Sequence, residues 1–131
     1  MATYKDLASR LAPIGLNVVL PAVPEYTLPA ITLEPTGAEI RNGNASAWET
    51  CTISVRYPLA QNNVGQFEAC QRDAYAVFAQ LIGSPFIVGA AALFAAPDLD
   101  HPAMLYAFDC TFPGPYSICD RLPSTEPDPE E

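Results

Sequence analysis

Basic side chains are scarce in this 131-residue chain: Lys and Arg together number 6 against 15 Asp and Glu, a formal net charge of −9. Four of the acids fall in the last six residues, so the body is mildly acidic and the end strongly so. Grip on nucleic acid needs clustered Lys and Arg to displace counterions, and nothing here supplies them. A surface that DNA merely slides past remains open, because repulsion is an advantage there. Cys51, Cys70, Cys110 and Cys119 include no Cys-x-x-Cys spacing, which argues for free buried thiols over a disulfide framework. Met1–Asp6 lacks a basic stretch followed by an apolar core, so no signal peptide is expected. The longest apolar run, residues 86–96, falls well short of the ~20 residues of a membrane span.

Catalytic signatures are missing as well. There is no Gly-x-Ser-x-Gly, no phosphate-cradling glycine loop and no zinc spacing. His101 is the one histidine, and it stands between Asp100 and Pro102 in a turn, where a solvated imidazole is the ordinary outcome. Asp98, Asp100 and His101 could ligate a metal, but three such donors in one turn recur by chance. The expectation is a protein without catalytic residues, metal or cofactor.

With 50% hydrophobic residues, the chain can close a single core. Its clearest stretch runs from Glu49 to Ile82. Cys51, Ile53, Val55 and Tyr57 alternate with Thr50, Thr52, Ser54 and Arg56, the period of a strand buried on one face. Pro58 ends the alternation. A helix follows, with Phe67, Cys70, Ala74, Val77, Phe78 and Leu81 on one side and Val64 and Ile82 at its margin. Asn63 with Gln66 fits an N-terminal capping box, and Gly83 a C-terminal cap. On the outer side, Glu68 and Arg72 are spaced for an ordinary surface pair. Ala69, Ala76 and Ala79 make that side smooth enough for another subunit to approach.

Around this unit the periodicity predicts a short helix capped by Thr3 and Asp6 and stopped by Pro13. Strands follow at Leu16–Leu20, Ala30–Glu34, Phe86–Ala95 and Ala103–Phe112. Thr36–Ala47 has no apolar period; it reads as a mobile loop, or as a hairpin that forms only against a partner, with Asn42-Gly43 at its turn and Trp48 at its exit. Pro113-Gly114-Pro115 is expected to break the last strand. The expected fold is α+β: a small, mainly antiparallel sheet with two helices packed on one face. Residues 1–112 form the domain, and 113–131 a proline-rich acidic arm or tail. The other face of the sheet, with Thr50, Thr52, Ser54, Arg56, Asp109 and Thr111, is expected to meet water or a partner.

This layout resembles the tail terminator proteins of long-tailed, siphovirus-type bacteriophages. The resemblance rests on the leading helix with Leu7 and Leu11, the crossing into Leu28-Pro29-Ala30-Ile31-Thr32-Leu33, and the loop with Arg41. It continues through Trp48 to Tyr57, the helix centred on Asp73-Ala74-Tyr75, and the Ser84-Pro85-Phe86 turn. It implies a non-enzymatic virion protein, assembled in the host cytoplasm as a homohexameric ring. Such a ring caps the tail tube, ends tube polymerisation and meets the neck or head-completion protein, while genome DNA passes its lumen without specific binding. No membrane partner is implied. Interface candidates are Arg41, Asn42, Gly43, Trp48, Arg56, Arg72, Ala76 and Ala79. A neck or head-completion connector of the same particle is the nearest alternative, and a small α+β enzyme using His101 is a more distant one.

Overall fold

Thr3 and Asp6 cap the first helix reciprocally: the Asp6 amide donates to Thr3 Oγ1 at 3.2 Å and the Thr3 amide to Asp6 Oδ2 at 2.8 Å. The computed structural model describes residues 2–40, 46–58, 64–96 and 103–117, and only the backbone of residues 46, 90–96, 116 and 117. Helix α1 (Tyr4–Leu11) is too short to be stable alone, and the fully buried Leu7 and Leu11 dock it. Pro13 turns the chain into one 3-10 turn, Ala12–Ile14, closed by Gly15 at φ 93°, a conformation that glycine adopts without a Cβ clash.

Strands β1 (Asn17–Val19), β2 (Ala30–Glu39) and β3 (Ser46–Pro58) precede helix α2 (Val64–Leu81), and β4 (Ile87–Ala96) and β5 (Ala103–Ser117) follow it. The sheet order is β1-β2-β3-β5-β4, antiparallel throughout except for the β1–β2 pair. The fold is therefore α+β. The parallel pair follows from its connection, which carries Pro21, Pro24 and Pro29 and crosses over instead of folding back as a tight hairpin.

One parity of β3 makes the core. Cys51, Ile53, Val55 and Tyr57 are buried in a cluster with Ile31 and Leu33 of β2 and Phe108, Cys110 and Phe112 of β5. Leu7 and Leu11 of α1 and Cys70, Ala74, Val77 and Leu81 of α2 belong to the same cluster. The Tyr4 ring meets Phe112 edge-on at 5.2 Å between centroids, and Phe78 lies 4.9 Å from Phe108. Each large side chain buried this way contributes about 1.5–3 kcal/mol. Of the helical stripe expected from sequence, Phe67 and Phe78 are half-buried, while Val64 and Ile82 are largely exposed. Gly83, at φ 77°, ends α2 as expected, with the Ser84 amide donating to the Leu81 carbonyl at 3.1 Å. The expected N-cap, Asn63, lies outside the described residues.

Three expectations are corrected. First, β2 does not end at Glu34. It continues to Glu39 and pairs Gly37 with Thr50, Ala38 with Glu49 and Glu39 with Trp48. Much of the expected loop is thus a hairpin arm formed without a partner chain. A bulge between Pro35 and Gly37 absorbs the proline, and β1 covers β2 only from Ala30 to Thr32, so Pro35 sits where β2 is an edge.

Second, Pro113-Gly114-Pro115 does not break β5, which runs on to Ser117 and pairs Pro113 with Trp48 and Ser117 with Ser46. Pairing with β4 reaches only to Thr111, so these prolines also lie on an edge. Gly114 is the residue that allows the continuation: a Cβ there would lie 3.1 Å from the Ala47 carbonyl oxygen and 3.2 Å from Glu49 Cγ.

Third, the face opposite the core is not uniformly open. Val19, Ala30, Thr32, Ser54, Ala103 and Leu105 are all buried, and register puts them on the parity of Ser54 and Arg56, outside the core cluster. Arg56 lies across this patch, donating from Nε to Thr32 Oγ1 at 3.2 Å and pairing through Nη2 with Glu34 Oε1 at 3.1 Å. Its side chain is itself only 14% exposed.

The close approach at Gly114 is testable. Gly114→Ala should lose about 1–3 kcal/mol through overpacking, seen as a lower urea midpoint with unchanged slope. Gly89→Ala, whose added methyl would meet nothing nearer than the Asp109 carbonyl at 3.8 Å, should be neutral or mildly stabilising.

Candidate assembly surface

Of the sequence-selected interface residues, the described ones lie on two elements, Trp48 and Arg56 on β3 and Arg72, Ala76 and Ala79 on α2. Trp48 is half-buried on β3, between Glu39 of β2 and Pro113 of β5. Arg56 is committed within the chain to Thr32 and Glu34 and is only 14% exposed at its side chain. Arg72 is exposed, but its Nε donates to Asp73 Oδ1 at 3.2 Å, so among the described residues its ion pair is with Asp73 and not with Glu68. The adjacent carboxylate competes successfully with the one a helical turn away. Ala76 is half-buried and Ala79 exposed, and Ala69 packs against the core. Arg41, Asn42 and Gly43 lie outside the described residues, as does His101.

One feature on α2 escaped the reading of the sequence. Asp73 is 5% exposed, in the stripe between Cys70 and Val77. A buried carboxylate is costly unless paired and hydrogen-bonded. Here the Tyr57 hydroxyl donates to Oδ2 and the Arg72 guanidinium to Oδ1, so both oxygens are satisfied. The phenol is pushed up to about 12, first by burial and then by the facing carboxylate. Arg72 is held further above its ordinary range by Asp73. The sequence did hold a signal: an acid at a stripe position, with a tyrosine closing the buried parity of the preceding strand. The arrangement pins α2 to the end of β3 beside a second link, the Cys70 thiol donating to the Val55 carbonyl at 3.5 Å.

The three described cysteines are free and buried, and Cys119 lies outside the described residues. Cys51 and Cys110 face each other across the β3–β5 ladder. The hydrogen bond between these thiols lowers Cys51 and raises Cys110, which burial raises further. Burial also pushes Cys70 up to about 11. Only Cys51 is shifted toward the thiolate, and at 1% exposed it is shielded from a substrate.

Hollows open on the surface between described residues. One of about 320 Å³ lies between the end of α2 and the start of β4, lined by Phe78, Leu81, Ile82, Ser84, Phe86 and Val88. Another, of about 270 Å³, is lined by Thr3, Tyr4, Glu49, Phe112 and Pro115. The first is apolar save for Ser84, while the second carries Tyr4 and Glu49, and burial holds the Tyr4 phenol above its ordinary range. Among the described residues, no group of three or more His, Cys, Asp or Glu could hold a metal ion.

No family model matches this chain, and no curated protein does. What the geometry offers is surface. The outer edge of β2 from Leu33 to Glu39 and the outer edge of β4 have no strand beside them among the described residues. Val64, Tyr75, Ala79 and Ile82 leave apolar area exposed on α2. On the face opposite the core, Thr36, Thr50, Thr52, Asp109 and Thr111 are exposed or half-buried, with Thr36 Oγ1 donating to Thr50 Oγ1 at 3.0 Å. Backbone edges and mixed polar faces bind other polypeptides.

The Tyr57–Asp73 link predicts an alkaline limit on stability. A folded-state pKa above the unfolded one means that the folded chain holds the proton more tightly. That stability is complete below about pH 10, the ordinary tyrosine value, and is lost as pH rises towards about 12. Cys70 adds the same sign between about 9 and 11. Urea midpoints measured from pH 8 to 11.5 should therefore fall, and Tyr57→Phe should flatten the upper part of that fall. Asp73→Ala, which strands the buried phenol and frees Arg72, should cost about 1–3 kcal/mol at neutral pH.

Proposed function

We propose that this chain is a non-enzymatic structural subunit of a virion that closes into a ring, caps a phage tail tube, ends its polymerisation and joins it to the neck. The observation that carries the reading is a pair of sheet edges, on β2 and β4, that have no strand beside them among the described residues. Two different edges meeting head to tail give a heterologous contact, and heterologous contacts close into rings when the rotation allows. The layout from the Thr3 cap to Phe112 supports the tail terminator likeness, with a homohexamer as the ring.

Both helices are taken to cover the face bearing Ile53 and Phe108, which leaves the threonine-rich face and the sheet edges for neighbours. The segment between β2 and β3, with Arg41, Asn42 and Gly43 in sequence, is assigned to docking on the tube or neck protein. With 15 acids against 6 bases, a ring of such subunits would let DNA pass its lumen without holding it.

Native mass spectrometry of the purified chain should give a multiple of 14.1 kDa, six copies for the ring as proposed. Gold labelling of purified particles should then mark the head-proximal end of the tail tube. Label against the portal instead would make the chain a neck connector. A monomer both alone and in assembled tails would refute the ring.

A further inference from the structure

We propose that Cys51 and Cys110 form a reversible disulfide on oxidation by hydrogen peroxide, a covalent lock between β3 and β5 that a dithiol releases. The proposal is independent of the ring reading, since both thiols belong to one chain.

Register carries the geometry. Cys51 stands directly opposite Cys110 in the antiparallel β3–β5 ladder. Residues so placed have Cα atoms about 4.5 or 5.5 Å apart, and a disulfide spans about 4.4–6.8 Å. Both side chains belong to the buried core cluster, and the two thiols are hydrogen-bonded to each other. The third described cysteine is engaged elsewhere, its Cys70 thiol donating to the Val55 carbonyl at 3.5 Å.

Chemistry gives the two sulfurs different roles. Contacts with Cys110 and with the Tyr4 phenol favour the thiolate of Cys51, while the same thiol contact and burial hold Cys110 as the thiol. Cys51 is therefore the attacking sulfur. Its thiolate takes one oxygen from peroxide to become a sulfenic acid, and the displaced hydroxide picks up the proton that Cys51 released. Cys110 then attacks that sulfur: the S–S bond forms as the S–O bond breaks, and the departing hydroxide leaves with the Cys110 proton. Two thiols lose two electrons in all, and one peroxide becomes two waters.

Access comes through the end of the sheet that α1 covers. At 1% and 0% exposed, Cys51 and Cys110 do not meet solvent directly. The next row on the same face pairs Glu49 with Phe112, and both line the 270 Å³ hollow with Thr3, Tyr4 and Pro115. Tyr4 is half-buried, lies edge-on to Phe112 and donates to the Thr50 carbonyl at 3.4 Å. It thus lines the hollow and also contacts Cys51. Its helix has only eight residues, and so short a helix opens locally more readily than the centre of a sheet. When Tyr4 lifts, an oxidant as small as peroxide reaches Cys51, whereas bulky disulfides are held out. The product would enclose α2 and β4 in one covalent loop and so restrict the unfolded chain.

The test treats the reduced full-length chain, carrying Cys119→Ser, with hydrogen peroxide. Intact mass should fall by two hydrogens, and proteolysis without reductant should release one linked peptide holding Cys51 and Cys110. Dithiothreitol should reverse both changes. The oxidised chain should unfold at a higher urea concentration than the reduced one. In Cys110→Ser, Cys51 should stop at a sulfenic acid that dimedone captures; if that variant does not fold, the linked peptide of the parent decides alone. Oxidation confined to methionines or Cys70, a sulfinic or sulfonic acid in place of the link, or a native chain whose thiols all survive would overturn the proposal. An oxidised chain that unfolds at the same or lower urea concentration would overturn the lock.

Discussion

Strand β3 must be bonded along both edges while only one of its faces can be covered by apolar side chains, and most of the molecule follows from that constraint. Its backbone groups are satisfied by β2 on one side and β5 on the other, so both neighbours run longer than their own hydrophobic alternation suggests. Prolines are carried into strands as a result, Pro35 through a bulge and Pro113 and Pro115 along an edge. The buried parity of β3 then decides where α2 lies. Cys70 reaches the Val55 carbonyl and Asp73 reaches Tyr57, two polar links in an otherwise apolar seam. Polar pairs at such a place fix which turn of the helix meets which strand residue, because any other register leaves a carboxylate unpaired.

The second face of the sheet divides into two regions with different physical roles. Near β1, Arg56 lies over Thr32 towards Glu34, and the small side chains beneath are removed from water. Towards the β2–β3 hairpin the face is threonine and carboxylate, and it stays accessible. Arginine at that position is therefore engaged within its own chain. Apolar side chains stand exposed at Tyr75 on α2 and at Ile82 just after it.

Much of the architecture was legible in residue order. Alternation over Thr50–Tyr57, the Thr3–Asp6 cap, the helical stripe ending at Gly83 and the apolar parity of Ala103–Phe112 each state a local preference that tertiary packing keeps. The places where the reading stopped short are those where a residue's meaning depends on a neighbour distant in sequence. Thr36–Glu39 have no apolar period, yet they pair because β3 offers them a ladder. Gly114 looks like a breaker until Ala47 and Glu49 are seen against it.

The candidate surface was less legible than the fold for the same reason. Arg56 and Arg72 both read as outward charges in sequence, and each is bound to a carboxylate of its own chain, Glu34 and Asp73. By itself the sequence determined most of the elements and the core parity of β3, because these depend on local spacing and composition. The tertiary structure alone decided which edges stay open, which charges are already spent and which face holds a second buried patch, because those properties belong to pairs of residues that only folding brings together.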